Sequence, residues 1–294
     1  MVQPQAEAVG HGAITIVNAM ATGKGAAVGI NLWTKARVTL TNEPGSFEAR
    51  NLADQTESTQ LIEVTARHVL NKLGYARRFG AIVETQSNIP IAVGLKSSSA
   101  AANAVSLACV KALGKRARDL QVIRLGVEGS LKAGVTLTGA YDDACACYLG
   151  GVVVTDNSQM RIIKRFKPKG RLRVLIHVPN RKKYTRDIDP APFRGIRLII
   201  QVAHREAVRG NYWNALTLNG LAYSNVFHYD TTVSIDALNA GALAAGLSGK
   251  GPAVAAVVPD TLTENVRSAW RRLKGVVLET NFNFRKATVR RVTA

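Results

Sequence analysis

PIAVGLKSSSAAANAVSLACVKAL, residues 90–113, sets a glycine, a lysine and three consecutive serines directly ahead of an alanine-rich apolar run. From Ser98 to Leu113 the run reads as a helix whose alanines permit close packing and which ends at Gly114. FGAIVETQSNIP before it reads as a strand ending at a proline turn, so the order is strand, glycine loop, helix. That order suits phosphate binding, because the first turn of a helix leaves backbone N–H groups unpaired and carries partial positive charge. Gly94 lets the backbone approach an anion, Lys96 adds a cation, and serine hydroxyls donate to phosphate oxygens or ligate Mg2+. The plainer account is a serine N-cap, which needs one hydroxyl. Here there are three.

On either side of this stretch, strand and helix patterns are mixed. AITIVNAM and WTKARVTL alternate as strands around the glycine loop ATGKGAAVGI, and TESTQLIEVTARHVLNKLG has helical spacing with Gly74 as its C-cap. ARDLQVIRLGVEGSLKAG reads as a helix leading to a polar turn, TGAYDDAC; CYLGGVVVTDN and RVLIHVPN read as strands separated by a basic loop. FRGIRLIIQVAHREAVRGN and YWNALTLNGLAYSNVF are helical, and VSIDALNAGALAAGLSGKGPAVAAVVP runs helix, glycine loop, strand. The helix LTENVRSAWRRLKG and the strand KATVRRVT close the chain. The expectation is an α+β protein of two domains, 1–180 and 181–294, the second a small antiparallel sheet covered by helices.

With 47% apolar and 20% charged residues, the 294-residue chain has the composition of a globular protein rather than a disordered one. Its start lacks the pattern of a secretory signal, and no run of eighteen strongly apolar residues occurs, so a cytoplasmic protein without a membrane partner is expected. Cys109, Cys145 and Cys147 lack zinc-type spacing and read as buried small hydrophobes. A formal charge of +19 attracts anions: nucleotides, phosphorylated metabolites or nucleic acid. Eleven basic residues fall between Arg161 and Arg186, but aromatics do not interleave them as on a base-stacking surface, and a solvated face accounts for them more simply. The G-x-x-x-x-G-K-[ST] phosphate loop is absent, which disfavours a P-loop kinase.

PIAVGLKSSSAA resembles the ATP-binding signature P-x-x-x-G-L-x-S-S-A of the GHMP kinase superfamily, which includes galactokinase, homoserine kinase and mevalonate kinase. Pro90, Gly94, Leu95, Ser97 and Ser98 fall in register; Ser99 stands where the family usually has alanine, and Ala100 comes one place late. LTGAYDDACACYLGG resembles the superfamily segment in which an Asp, here Asp142, precedes a Gly-Gly strand and faces the acceptor hydroxyl; Asp143 stands where Asn is common. On the residues alone, an Asp pair in a turn is equally open. GLSGKGPAVAAVV looks like the late glycine motif that helps close the family's site, and three motifs in order are far more specific than one. Together with GAITIVNAMATGKGAAVGI, their wording is similar to that of the archaeal-type shikimate kinases.

The resemblance implies a GHMP kinase fold: an N-terminal domain like ribosomal protein S5 domain 2 and a ferredoxin-like C-terminal α/β sandwich. It implies ATP-dependent phosphorylation of the shikimate 3-hydroxyl to shikimate 3-phosphate and ADP, a step of aromatic amino acid biosynthesis, with Mg2+. A homoserine or mevalonate type of acceptor is the alternative, and a nucleic-acid-binding protein a remoter one motivated by charge alone. Carried over by residue, Asp142 is the catalytic carboxylate, and Pro90, Gly94, Leu95, Lys96, Ser97, Ser98, Ser99 and Ala100 form the nucleotide loop. Ser98 and Glu128 are the candidate Mg2+ ligands, although on the residues alone Glu128 reads more readily as a partly exposed helix-end glutamate. Asn18, Gly23, Lys24, Gly25, Asp143, Ser248, Gly249, Lys250 and Gly251 are expected to shape the acceptor pocket, the glycine segments reading equally as ordinary turns. Arg186 is expected to meet the acceptor carboxylate, with Arg181, Lys182 and Lys183 as competing choices.

Overall fold

The computed structural model describes residues 3–136, 138–183, 189 and 191–292. β1 (Gln5–Val17) and β2 (Lys24–Thr41) form a long antiparallel pair joined by a short turn at Ala19–Ala21. The glycine segment expected as a loop is therefore, from Lys24 onward, the first half of β2. Its glycines serve close approach rather than turning: a Cβ on Gly25 would strike Asp142, and one on Gly29 would lie 3.0 Å from the Ala146 carbonyl oxygen. Both partners belong to α4 (Tyr141–Leu149), which this lets lie directly on the strand.

The far edge of β2 is shared. Thr34–Thr41 pairs with β4 (Gly80–Ser87), and Lys24–Val28 pairs with β5 (Val152–Asp156), which in turn pairs with β6 (Arg161–Phe166). The basic segment expected as a loop thus supplies an edge strand. β3 (Phe47–Asn51) joins β4 in parallel through the crossover helix α1 (Gln60–Lys72), and β11 (Thr288–Val292) lies beside β1. Among the described residues this sheet has seven strands.

α2 (Ser97–Ala112) packs on β1 and β2, with α3 (Asp119–Lys132) and α4 beside it. Its Ala100, Ala104 and Ala108 are fully buried, and a Cβ on Gly10 would come within 2.7 Å of the Ala100 carbonyl oxygen. Helix and strand are in backbone contact there, as the small residues on both sides allow.

β7 (Leu172–Val178), β8 (Ala244–Leu247), β9 (Val254–Pro259) and β10 (Val276–Thr280) make a second, antiparallel sheet in the order β10-β7-β9-β8. α6 (Tyr212–Val226) and α7 (Thr232–Asn239) pack on β8, α8 (Thr263–Ala269) packs on β7 and β9, and α5 (Phe193–Arg209) lies against α6. This is the expected α/β sandwich. The division at 180 does not coincide with the division between sheets, since β7 precedes it and pairs in the second sheet, while β11 follows it and returns to the first. Among the described residues no helix is long and apolar enough to cross a membrane.

Candidate active site

The turn before α2 and the loop after β8 are bound to each other. The Ser248 hydroxyl donates to the Gly94 carbonyl oxygen at 2.8 Å and accepts the Thr15 amide at 3.1 Å, and the Ala253 amide donates to Val93 at 3.1 Å. Gly94 has φ +95°, and a Cβ there would lie 2.0 Å from the Ser248 carbonyl oxygen, so the contact admits glycine only. The Gly249 amide donates to the Thr15 hydroxyl at 2.8 Å, and its carbonyl accepts Asn18 Nδ2 at 3.1 Å.

These loops and the starts of α2 and α4 enclose a cleft of about 740 Å³. Gly94, Lys96 and Ser97–Ser99 line it. The amides of Ser97, Ser98 and Ser99 open α2 and have no helical carbonyl one turn earlier, so they form a donor-rich, electropositive wall. Pro90, Leu95 and Ala100 do not line the cleft; Leu95 is buried, with its carbonyl accepting Ala13 N–H at 3.3 Å, and Ala100 packs on β1. Leu95 and Ala100 hold the loop and the helix start against β1.

The segment expected as a polar turn is the first turn of α4, where carboxylates are favoured by the helix dipole. Asp142 and Asp143 both line the cleft and leave the helix in different directions. Asp142 is 3% exposed, and its Oδ1 accepts Asn157 Nδ2 at 2.7 Å. Burial and the neighbouring Asp143 push its carboxyl up to about 7, against the opposing effects of Asn157 and Lys96. Asp143 instead pairs with the Lys96 ammonium at 3.2 Å. Lys96 is buried along its side chain and holds a left-handed backbone, φ 66° and ψ 30°. Ala92 (φ 59°) and Ala140 (φ 46°), also non-glycine, line the same cleft. Strain of this kind costs about 1–3 kcal/mol per residue and gathers at functional sites.

The other expected acceptor residues divide. Asn18, Gly249 and Lys250 line the cleft. Ser248 and Gly251 do not, Ser248 being fully buried in the brace just described. Gly23, Lys24 and Gly25 also lie outside the lining: Lys24 is exposed, Gly23 accepts the Asn157 amide at 2.9 Å, and Gly25 backs Asp142. Arg186 lies outside the described residues. Of its competitors, Lys182 lines the cleft and pairs with Glu57, while Arg181 stacks on Tyr229 with its guanidinium 4.5 Å from the ring centre.

Glu128 does not line the cleft. Its Oε2 is 2.8 Å from His68 Nε2 and 3.6 Å from Lys72 Nζ, an arrangement that ties α3 to α1. The buried cysteines are free, and burial pushes the Cys109 thiol up to about 12, the opposite of a ligand or nucleophile. Among the described residues no group of three His, Cys, Asp or Glu side chains is placed to hold a metal ion.

The sequence reading passes over Thr15, Asn103 and Glu57, which line the cleft, and Asn157, which holds Asp142 from outside the lining. Asn157 follows a strand in TDNS and reads locally as a turn residue; its partner Asp142 lies fifteen residues earlier, a relation that no local pattern carries.

The GHMP kinases N terminal domain model matches residues 60–151, and the GHMP kinases C terminal model matches residues 203–275. The chain is 42% identical to a shikimate kinase of Methanosarcina mazei over 282 residues, 95% of this chain and 94% of that one. It is 41% identical to a shikimate kinase of Pyrococcus furiosus, over 92% of this chain and 96% of that one. The crystal structure of homoserine kinase from Cytophaga hutchinsonii shares the fold with a TM-score of 0.73 at 16% identity, covering 98% of both chains. Methanococcus jannaschii mevalonate kinase does so with a TM-score of 0.69 at 15% identity, covering 94% of this chain and 98% of that one. Domain matches in both halves and near-full-length likeness to archaeal shikimate kinases agree with the architecture, and the chain belongs to the GHMP kinase family, in its archaeal shikimate kinase type.

Proposed function

We infer that this chain transfers the γ-phosphoryl group of ATP to the 3-hydroxyl of shikimate, giving shikimate 3-phosphate and ADP. The observation that carries phosphoryl transfer is the buried Asp142, whose carboxyl is raised to about 7, in one cleft with the Ser97–Ser99 helix start. The acceptor is supported by relatives named shikimate kinase at about 40% identity over nearly the whole chain.

In this reading the amides and hydroxyls of Ser97–Ser99 hold phosphate oxygens, and Lys96 balances their charge. Asp142 orients the acceptor hydroxyl and takes its proton as the new oxygen–phosphorus bond forms and the bond to the ADP oxygen breaks. Mg2+ keeps most of its water and phosphate ligands and needs only one or two from protein, so the Ser98 hydroxyl fits it while Glu128, held by His68 and Lys72 outside the lining, does not. When bound, the ion neutralises charge developing on the phosphates. Asn18, Asp143, Gly249 and Lys250, which line the cleft, would border the acceptor in this reading. Of the described residues 181–183, Lys182 lines the cleft, paired with Glu57, and is the one assigned to its carboxylate in this reading.

The test is ADP release with ATP and each of shikimate, homoserine and mevalonate, in parent and Asp142→Asn. Shikimate-dependent turnover that falls at least about a thousandfold in the variant, with ATP still bound, is expected. Turnover with another acceptor alone removes the shikimate assignment. Parental turnover in Asp142→Asn removes the carboxylate role.

A further inference from the structure

Asn157 is the first residue beyond β5 and is 5% exposed. Its side-chain amide grips a single residue at two points. Nδ2 donates to Asp142 Oδ1 at 2.7 Å, and Oδ1 accepts the backbone N–H of the same Asp142 at 3.2 Å. Asn157 Oδ1 also accepts the hydroxyl of Thr155 at 2.7 Å, and the Asn157 amide N–H donates to Gly23 at 2.9 Å. The Asp142 N–H and carboxylate together dictate which end of the amide is oxygen, since the flipped amide would set oxygen against carboxylate.

We propose that Asn157 is a positioning residue for the phosphoryl transfer, holding the Asp142 carboxylate at the acceptor by clamping the backbone and side chain of Asp142 together. The proposal rests on the reading of Asp142 as the group that meets the acceptor hydroxyl.

Two consecutive acids sit beside one buried ammonium. Lys96 is taken by Asp143, and without another donor Asp142 would be a buried carboxylate drawn toward the same cation. Asn157 supplies that donor. Oδ1 of Asp142 is then occupied, and the carboxylate is held between the Asn157 amide and Gly25 of β2. Because the donor is a neutral amide, it steadies the carboxylate without lowering its proton affinity as far as a salt bridge would. The titratable groups facing Asp142 are Asp143, Cys145 and Cys147 of α4, Lys96 at the start of α2, and Tyr223 of α6. Burial keeps Tyr223 and both thiols neutral, which leaves Asp143 and Lys96 as the charges that matter.

The experiment uses the full chain carrying Asn157→Leu, which keeps volume and removes the amide, and separately Thr155→Val, which removes the hydroxyl that steadies it. Turnover and KM for ATP and shikimate are measured from pH 5.5 to 9, with melting temperature and nucleotide binding on the same samples. Asn157→Leu is expected to lower kcat by about 10- to 100-fold, with both KM values within about twofold. It should also move the acid limb of the kcat profile up by about one pH unit. Thr155→Val is expected to lower kcat by about three- to tenfold. A purely structural Asn157 would lower the melting temperature and leave kcat and the acid limb in place, and that result overturns the proposal. If Asn157→Leu does not fold, parental kcat in Thr155→Val overturns it alone. An inactive Asp142→Asn beside a parental Asn157→Leu removes only the role of Asn157, whereas an active Asp142→Asn removes the reading beneath it.

Discussion

Gly25→Ala tests the geometry around Asp142 without touching a polar group. The added Cβ would lie 2.4 Å from Asp142 Oδ2, 2.6 Å from Cγ and 3.1 Å from Cβ. Ordinary carbon–oxygen contact needs about 3.4 Å, so the carboxylate must move by about 1 Å. It cannot rotate away without breaking the Asn157 bonds, and the α4 backbone is anchored at the Asp142 amide. Gly25 lies within β2 and has no positive φ, so alanine adds no backbone strain, and overpacking costs about 1–3 kcal/mol of stability. A misplacement of about 1 Å at the reacting group costs about 100-fold in rate, or about 2.7 kcal/mol of barrier.

The assay is steady-state ADP release with saturating ATP and shikimate at 25 °C, where a protein destabilised by this amount stays folded, alongside a thermal melt. Gly29→Ala is the control. Its Cβ would press the Ala146 carbonyl at 3.0 Å and Gly150 Cα at 3.2 Å, at the C-terminal end of the same helix and away from the carboxylate. It should lower the melting temperature and spare kcat. If Gly25→Ala folds and turns over within about threefold of the parent, the Asp142 carboxylate is not held against Gly25 at the reacting position.

With the Asp142 carboxyl raised to about 7, kcat should fall about tenfold per unit as pH drops below that value, read from a kcat–pH profile. Stability runs the other way: the unfolded carboxyl titrates near 3.8 and the folded one near 7, so folding takes up a proton between them and stability declines as pH rises through that window. Asp142→Asn should therefore melt above the parent at pH 8, with the gap closing toward pH 4. Lys96→Met, which strips the buried ammonium from Asp143, should raise the KM for ATP by about tenfold or more and depress kcat, measured by ADP release. Ser98→Ala should weaken Mg-nucleotide use more than shikimate binding, seen as a raised Mg2+ requirement with an unchanged KM for shikimate.

The donor-rich start of α2 is legible because it is local: an anion site at a helix start needs its glycine and hydroxyls within a few residues, as in Gly94–Ser99. Gly25 and Gly29 read as loop glycines and lie in β2, because a glycine that makes room for a helix is indistinguishable, in sequence, from one that makes a turn. The cue would be Asp142 and Ala146, more than a hundred residues away. TGAYDDAC looked like a turn because Asp is at home both in turns and in the first turn of a helix, and tertiary packing on β2 decided for the helix. Glu128 is carried over by resemblance alone, and in the structure its carboxylate meets the nearest local donors, His68 and Lys72. Asn157 could not be found at all, since its meaning lies wholly in the residue it grips.

The second sheet has a part in the site beyond walling it. Lys96, Ala92 and Ala140 hold left-handed backbones around the cleft, and each would relax toward an ordinary conformation if its loop were free. The loop carrying Ala92 and Lys96 is not free. Ser248, at the end of β8, hydrogen-bonds Gly94 on one side and β1 on the other, and Ala253 bonds Val93. An unstrained loop would have to break buried hydrogen bonds, each costing about 1–3 kcal/mol to leave unmade, which is enough to oppose the strain. The late glycine motif, read from sequence as a lining of the acceptor pocket, thus works in part from behind, pinning the loop before α2 so that Lys96 enters the cleft. Ser248→Ala follows directly: it removes no group from the lining, yet kcat and nucleotide affinity should both fall as Gly94 loses its donor. An unchanged ATP affinity in that variant would show that the loop holds its strained shape unaided.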